Sequence, residues 1–377
     1  EIGMEDRFLT LKPMGAIPRD GVLRYLDMKR PIKSFLTSDL FSVSSKLMLV
    51  KVARDVMRLG QHLNYEQVEA LVPHDTQTVQ QYAQRNLNGE LYDYLADTLT
   101  RGAWLAPGEQ ASVIQFLWTA KNFTPHMYSL LGGMNALPLK LLDGIDVRLN
   151  APVLSVDERP GGVQVTAKGA RGESSETFEG CVIAVPPAAA LPLFPQMIRE
   201  QRAYFQGAVY SKSVNVHFAL SRPPDVKALY VMVPKRENPD VTTIFLDHLK
   251  APDRAPAGKG MVSVFMRAEW CERHYETPDA AVVDEVAGKL KPYFGDLQAQ
   301  LEHVVVQRWP HCALLVQPGI FAAMSRHYRS IDPKARVQLA GDYAPFSSVN
   351  TAVVSGENAA KLLNASLSAR PVALAAA

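Results

Sequence analysis

The chain has 377 residues, of which 47% are hydrophobic and 21% are charged, and its formal net charge is +2. This composition is typical of a globular protein too long for one ordinary core, so we expect two or three domains. The near-neutral charge, without basic clusters among aromatic residues, argues against a nucleic-acid partner. Three distant cysteines and nine scattered histidines show no ligand spacing. We therefore predict no metal site and favour a reducing, cytoplasmic location.

The N-terminal third predicts a β-hairpin followed by helices. Residues 14–28 suggest two short strands around a turn at Arg19-Asp20-Gly21. From 38 to 126 the pattern is helical, and the first helix has apolar and basic residues at helical spacing: Leu47, Val50, Ala53, Val56 and Met57, with Lys46, Lys51, Arg54 and Arg58 between them. Such a helix suits peripheral contact with a membrane through residues 38–60. A solvated helix at a domain edge is the more common alternative.

Further helices are predicted in this part of the chain. Asp75 is placed as the N-cap of a helix over 76–85, and another helix is predicted over 109–123. Tyr92, Leu95 and Leu99 form an apolar stripe between them.

The middle of the chain predicts two different arrangements of strands. Residues 127–190 alternate between helix and strand: a short helix after Gly132-Gly133, strands at 146–149 and 178–185, and a hairpin of 153–157 with 163–167. Residues 191–331 predict a mixed or antiparallel sheet interrupted by one helix: strands near 214–218, 230–233, 242–247, 261–266 and 304–309, and a helix over 281–290 with Thr277 as cap and Pro278 in its first turn.

The C-terminal stretch is the most informative one. An apolar run over 337–340 stops at Gly341-Asp342, and a Pro/Ser loop then leads to a helix expected to begin near Ala352. The glycine permits close approach of the backbone, the carboxylate can accept from hydroxyl groups, and a helix N-terminus favours negative charge. A strand, a glycine, a carboxylate and a helix N-terminus in this order suit the binding of an anionic or hydroxyl-bearing cofactor. An ordinary strand–loop–helix exit is the alternative.

This stretch resembles the C-terminal FAD signature of the flavin amine oxidase superfamily. Three other segments, at 131–138, 150–156 and 182–187, also resemble that family and occur in its order. The resemblance implies an α/β, Rossmann-type FAD-binding domain that is discontinuous in sequence, with a mixed-sheet (α+β) substrate domain and a helical subdomain. The implied limits are 1–12, 127–190 and 332–368 for the FAD domain, 13–37 and 191–331 for the substrate domain, 38–126 for the helical subdomain, and 369–377 for a flexible tail.

One family feature is missing from this sequence. The family opens with a strand, a Gly-x-Gly-x-x-Gly turn and a helix, and no Gly-x-Gly-x-x-Gly occurs here. The resemblance therefore implies either that an N-terminal unit precedes Glu1 in the natural protein, or that the protein has lost half of its FAD site.

The resemblance also implies roles for individual residues in binding FAD. Asp342 would accept hydrogen bonds from the ribityl chain next to Gly341, whereas capping of a turn is its alternative role. The remaining implied cofactor contacts are Thr351, Ala352 and Val353 at the pyrimidine end, Val153 at the adenine end, and Trp309 beside the flavin. Val153 and Trp309 are equally well read as core residues.

The substrate is harder to assign. Amine-oxidising members carry a lysine near the flavin that here falls on Ser213, with Lys212 adjacent, and an aromatic residue that here falls on Ser348. A second aromatic is absent from 313–316. These departures favour a protoporphyrinogen-oxidase-like enzyme that removes hydride from a bulky hydrophobic small molecule. A carotenoid- or squalene-type desaturase, an amine oxidase, and a non-catalytic ligand-binding remnant are the alternatives.

Overall fold

The computed structural model describes residues 2–11, 13–65, 67–122, 127–344 and 346–368. Its contacts divide the chain into two compact units. Unit 1 comprises Glu1–Leu63, His74–Ile145 and Tyr210–Pro318, and unit 2 comprises Asn64–Pro73, Asp146–Val209 and Gly319–Ala377. The tail predicted over 369–377 lies outside the described residues.

Elements up to residue 145 alternate short strands with helices. In chain order they are β1 Phe8–Thr10, β2 Met14–Arg19, β3 Val22–Asp27, α1 Pro31–Thr37, α2 Val43–Leu59, α3 Val68–Leu71, α4 Val79–Asn86, α5 Gly89–Leu91, a π-helical turn Tyr92–Ala96, α6 Asp97–Trp104, α7 Val113–Lys121, β4 Tyr128–Leu130 and α8 Ala136–Leu141.

The rest of the chain contains most of the strands. The elements are β5 Val153–Arg159, β6 Gly162–Gly169, β7 Gly172–Phe178, β8 Cys181–Ile183, α9 Pro187–Leu193, α10 Arg199–Gly207, β9 Tyr210–Leu220, β10 Tyr230–Met232, β11 Val241–Leu246, β12 Gly260–Met266, α11 Ala268–His274, α12 Asp279–Phe294, β13 Leu301–Leu314, α13 Ile320–Arg329, β14 Val337–Leu339 and α14 Val349–Ser368.

Unit 1 is built on a large sheet with strand order β13-β9-β12-β11-β10-β2-β3. The pair β10–β2 is parallel and the other pairs are antiparallel, so the predicted mixed sheet is confirmed. Alternate residues of β9, including Val214, Val216 and Phe218, enter a core shared with α11 and α12. The intervening residues, including Ser213 and His217, therefore project from the opposite face.

The hairpin β2–β3 confirms the turn predicted at Asp20-Gly21. Arg19 pairs with Val22, and both turn residues have positive φ, 54° at Asp20 and 73° at Gly21. Only Gly, Asn and Asp adopt this conformation readily, and two such residues in succession match the twist of the strands.

Unit 2 holds a parallel pair, β8 and β14, and an antiparallel meander, β5-β6-β7. The predicted hairpin of β5 and β6 is confirmed, but β7 was not predicted because its side chains are all exposed and leave no apolar alternation. The strand predicted over 146–149 is wrong: residues 146–148 have no regular secondary structure, and Leu149 lies in a turn and is 80% exposed. The single strand predicted over 178–185 is instead the end of β7 followed by the separate β8.

The predicted start of α4 is wrong by three residues. The side chain of Thr78 accepts from Gln81 N at 3.1 Å and the side chain of Gln81 accepts from Thr78 N at 2.9 Å, which forms a capping box. Asp75 instead accepts a hydrogen bond from Ser112 Oγ at 2.5 Å.

Two other helix starts also differ from the predicted ones. Ser112 caps α7, which therefore begins at Val113 and not at 109; its predicted end at 123 lies outside the described residues. The helix α12 has Pro278 at its N-cap, without a side-chain cap from Thr277, and the short α11 before it was not predicted. Within the described ranges, no helix combines the length and the apolar character needed to cross a bilayer.

Candidate cofactor site and sheet face

The strand–loop–helix segment of unit 2 is organised around Gly341. Ala340 N donates to Ile183 O at 3.0 Å and continues the β8–β14 ladder for one more residue. Gly341 N then donates to Ser355 Oγ of α14 at 3.1 Å. A Cβ at Gly341 would lie 2.5 Å from the Tyr343 ring, so the loop can follow this path only with glycine.

Asp342 follows immediately and is half-buried. Its Oδ2 accepts from Ser347 Oγ at 2.8 Å, which joins the two ends of the loop between β14 and α14. The turn-stabilising role is thus present in the structure. An ionised carboxylate offers about four lone-pair positions, so a group of this kind can accept from more than one hydroxyl.

The helix α14 begins at Val349, earlier than the predicted start near Ala352. Ser348 explains the difference: its Oγ accepts from Thr351 N at 3.2 Å, and its carbonyl accepts from Ala352 N at 3.1 Å. The Thr351 side chain is buried and donates to Phe346 O. The amide groups of Thr351 and Ala352 are therefore already bonded, and the first turn of the helix lies at 349–351.

A cavity of about 520 Å³ lies inside unit 2 alongside this segment. Its walls come from α3, α13, β14 and α14, and they include His327, Tyr343 and Thr351. Two buried polar atoms on these walls, His327 Nδ1 and the Tyr343 hydroxyl, have no hydrogen-bond partner among the residues that the structure describes. Buried polar groups nearly always have partners, so these two atoms can bond to water or to a polar group of a ligand that enters the cavity.

Burial sets the protonation of both groups. His327 is 2% exposed and packs against the rings of Tyr204 at 4.9 Å and Phe205 at 5.6 Å. This apolar surrounding lowers the pKa of His327 to about 4. Burial also raises the pKa of Tyr343 well above its usual range. Both side chains are therefore neutral at pH 7.

In unit 1 the strand β9 separates the two residues predicted near the substrate. Ser213 is fully buried, donates to Asn215 Oδ1 at 2.8 Å, and is paired across the ladder with Trp309, which is 48% exposed. Lys212 projects from the other face. There it bonds to Glu272 at 3.0 Å, and this carboxylate raises the pKa of Lys212.

The sheet face that carries Ser213 also holds a chain of hydrogen-bonded polar side chains, which was not predicted from the sequence. His217 Nδ1 lies 2.7 Å from Ser263 Oγ, which donates to Asp247, and Asp247 is paired with Lys250 at 2.6 Å. The Ser263 hydroxyl has one proton, which it donates in its hydrogen bond to Asp247. In the bond between His217 and Ser263 the donor must therefore be His217 Nδ1. These residues are distant in sequence, and only strand register brings them together.

Aromatic rings lie beside this chain. Phe245 is 6.4 Å from Tyr230 and 5.4 Å from Phe265, centroid to centroid. Val153, predicted at the adenine end of the cofactor, lies at the start of β5, is 40% exposed, and does not line the cavity of unit 2.

The sequence profile of a family described as flavin-containing amine oxidoreductase matches residues 14–364. The chain belongs to this family. It is therefore an FAD-dependent oxidoreductase, and the predicted α/β fold class with its Rossmann-type FAD domain is confirmed. A comparison with curated proteins gives no match.

Several solved structures share the family fold. A candidate protoporphyrinogen oxidase from Exiguobacterium sp. 255-15 aligns with a TM-score of 0.71 and 15% identity, over 97% of this chain and 83% of that one. Cyclohexylamine oxidase from Brevibacterium oxydans IH-35A aligns with a TM-score of 0.74 and 16% identity, over 97% and 84%. Putrescine oxidase bound to putrescine aligns with a TM-score of 0.72 and 16% identity, over 95% and 83%. At these identities the likeness shows the fold alone.

The residues of unit 2 fit the flavin cofactor of the family. The cavity volume lies within the range of roughly 300–1,000 Å³ common for ligand sites, and two unpaired polar atoms lie on its walls. Gly341 and the first turn of α14 supply close backbone approach and a helix N-terminus for a group that carries phosphates and hydroxyls.

The tight turn at Gly341 gives a prediction for stability. Gly341→Ala is expected to lower the free energy of unfolding by about 1–3 kcal/mol, because the added methyl group overpacks against the Tyr343 ring. Gly356→Ala is the matched control: it lies in α14 with nothing within 4 Å of an added Cβ, so it should raise stability by about 1 kcal/mol. Chemical denaturation of both variants checks the opposite signs, and equal effects would contradict the steric account.

Proposed function

We propose that this oxidoreductase removes hydride from a bulky, hydrophobic small molecule, in the manner of the protoporphyrinogen oxidases. The observation that carries the proposal is the sheet face of unit 1, where the neighbouring rings of Tyr230, Phe245 and Phe265 share one side of the sheet with Ser213 and His217. Aromatic surface with a few polar groups suits a large planar or polyene substrate. We propose a cytoplasmic setting, since Cys181 and Cys271 are free thiols.

In this proposal unit 2 holds the cofactor. Bound FAD supplies the chemistry of hydride acceptance. Asp342 would accept hydrogen bonds from the ribityl hydroxyls through its carboxylate, and Gly341 would let the backbone approach. The capped first turn of α14 places positive helix-dipole charge near an anionic group.

The residues of unit 1 would orient the substrate and supply a hydrogen-bond acceptor. Because His217 donates from Nδ1 to Ser263, its Nε2 is left as an acceptor. Burial lowers the pKa of His217, which keeps that nitrogen unprotonated at pH 7. Trp309 and Ser213 occupy neighbouring positions on the same face, whereas Lys212 is held on the other face by Glu272.

The role of Asp342 can be tested by substitution. Asp342→Ala is expected to weaken FAD binding roughly 5- to 150-fold, because a buried ribityl hydroxyl loses its acceptor. Titration of the apoprotein with FAD measures the effect.

Ser347→Ala is the matched control for this experiment. It removes the bond of 2.8 Å within the loop but leaves the carboxylate, so FAD affinity should change far less than in Asp342→Ala. Equal FAD affinity in wild type and Asp342→Ala, with a lowered melting temperature of the apoprotein, would assign Asp342 to the turn alone.

The substrate class is tested by direct assay. Anaerobic mixing with protoporphyrinogen should bleach the flavin absorbance, while simple amines should react poorly because Ser348 and the segment 313–316 supply no aromatic cage. Efficient oxidation of putrescine or cyclohexylamine with release of peroxide would reject the proposal and favour an amine oxidase. Rapid bleaching by a polyene instead would favour a desaturase.

A further inference from the structure

The helix α2 in unit 1 presents an apolar ridge to solvent. Its side chains Val43, Leu47, Val50 and Met57 are 74%, 71%, 69% and 76% exposed. At 3.6 residues per turn these four positions fall within about 40° of one line along the helix. The buried residues Ser45, Val52, Asp55 and Leu59 occupy the opposite side. The exposed ridge is therefore a stripe that extends along one side of the helix for about four turns and is interrupted once, before Met57; it is not a scatter of apolar residues over the surface.

Cations border this stripe on both sides. By the same helical spacing, Lys51 and Arg58 lie on one flank, Lys46 lies on the other, and Arg54 lies within the stripe. The single acidic residue of α2, Asp55, is buried and accepts from Tyr82 at 2.9 Å and from Arg54 at 3.1 Å. The solvent-facing side of α2 thus carries positive charge and apolar surface together.

The short helix α1 repeats the combination. Ile32 is 77% exposed and Leu36 is 48% exposed, and Lys29, Arg30 and Lys33 are exposed beside them in the sequence. Two consecutive helices of one segment therefore expose large aliphatic side chains among cations.

We infer that the outer face of α2, with α1, docks on a membrane surface rich in anionic lipid. Aliphatic side chains flanked by Lys and Arg match the boundary between acyl chains and anionic headgroups, where the stems of cations remain with the apolar residues and their heads reach phosphate. A protein partner is less well matched, because the centres of protein–protein interfaces are depleted in Lys and other charged residues. The inference concerns unit 1 and does not depend on which substrate the enzyme oxidises.

The test is co-sedimentation of the whole flavoprotein with vesicles of phosphatidylcholine alone and of phosphatidylcholine with phosphatidylserine. Wild type is expected to bind the anionic vesicles and to be released by high salt. Leu47→Gln/Val50→Gln should weaken this binding at least about tenfold, because two inserted apolar side chains are lost while helix propensity is kept. Lys51→Gln/Arg58→Gln should weaken it about tenfold on anionic vesicles.

The matched control is Leu249→Gln/Val305→Gln, which removes two apolar side chains of unit 1 that are each 44% exposed and lie outside α1 and α2. Its vesicle binding should equal that of wild type, and circular dichroism verifies that every variant is folded. The inference is overturned if wild type binds no vesicles, if it binds neutral and anionic vesicles equally, or if the control loses as much binding as the α2 variants. It is also overturned if wild type ignores vesicles and forms a dimer that Leu47→Gln/Val50→Gln dissociates, since α2 is then a protein interface.

Discussion

Asp97→Ala is expected to lower the free energy of unfolding by about 3–5 kcal/mol, the range for breaking a buried ion pair from one side. Arg101 is 3% exposed, and its Nε donates to the two carboxylate oxygens of Asp97 at 2.9 and 2.8 Å. Its other nitrogens donate to Glu269 at 2.7 Å and Glu109 at 2.9 Å. Removing Asp97 leaves a buried guanidinium with only its two half-exposed partners.

One further hydrogen bond and one neighbouring charge make the loss of stability larger than that expected from the Asp97–Arg101 ion pair alone. Asp97 Oδ1 also accepts from Gly108 N at 2.9 Å, so the substitution leaves a buried N–H unpaired. Arg267 is 2% exposed, and its pKa is lowered to about 10 by burial first and by the charge of Arg101 second. Without the carboxylate of Asp97, the repulsion between the buried cations Arg101 and Arg267 is compensated less.

Denaturation in guanidinium chloride measures the effect, and two variants serve as controls. Glu109→Gln removes a 39% exposed partner and should cost about 1 kcal/mol or less. Asp97→Leu/Arg101→Met removes both buried charges and should recover a large part of the loss, because apolar replacements of a buried pair are often tolerated. A loss below about 1 kcal/mol in Asp97→Ala would show that the pair is not the anchor of this part of unit 1.

Sequence reasoning succeeded where a local signal determines the structure. The turn Asp20-Gly21 requires positive φ, and the strands β9, β11 and β12 alternate between the core and the opposite face. It failed where competing local signals were close together. Thr78 with Gln81 outcompeted Asp75 as a cap, and Ser348 started α14 three residues before the expected Ala352.

The candidate site was predictable in part for the same reason. Gly341, Asp342 and the helix that follows are close together in the sequence, so this segment could be found without a structure. His327, Tyr204 and Tyr343 could not be grouped, because they are distant in the chain and are brought together by the packing of α10, α13 and the loop after β14. The chain from His217 through Ser263 to Asp247 likewise depends on the register of β9 with β12.

The group formed around His327 leads to a prediction on pH. The pKa of His327 is lowered from its usual 6.5 to about 4, and burial is the sole cause. Between these two values the unfolded chain binds a proton that the folded protein does not, so stability rises with pH. The stabilisation is complete above pH 6.5 and is lost as the pH falls towards 4. Its size is on the order of 3 kcal/mol, at 1.36 kcal/mol for each unit of pKa.

His327→Phe isolates this contribution. The phenyl ring keeps the packing against Tyr204, Phe205 and Tyr343 but has no proton to bind. Chemical denaturation of both proteins at a series of pH values from 7.5 to 4 is the measurement. Wild type should lose up to about 3 kcal/mol more than His327→Phe over this interval. The other titrating groups, including His217 with its lowered pKa, are common to both proteins and cancel in the difference. If the free energy of unfolding depends on pH equally in the two proteins, His327 is already protonated, or reached by water, in the folded state.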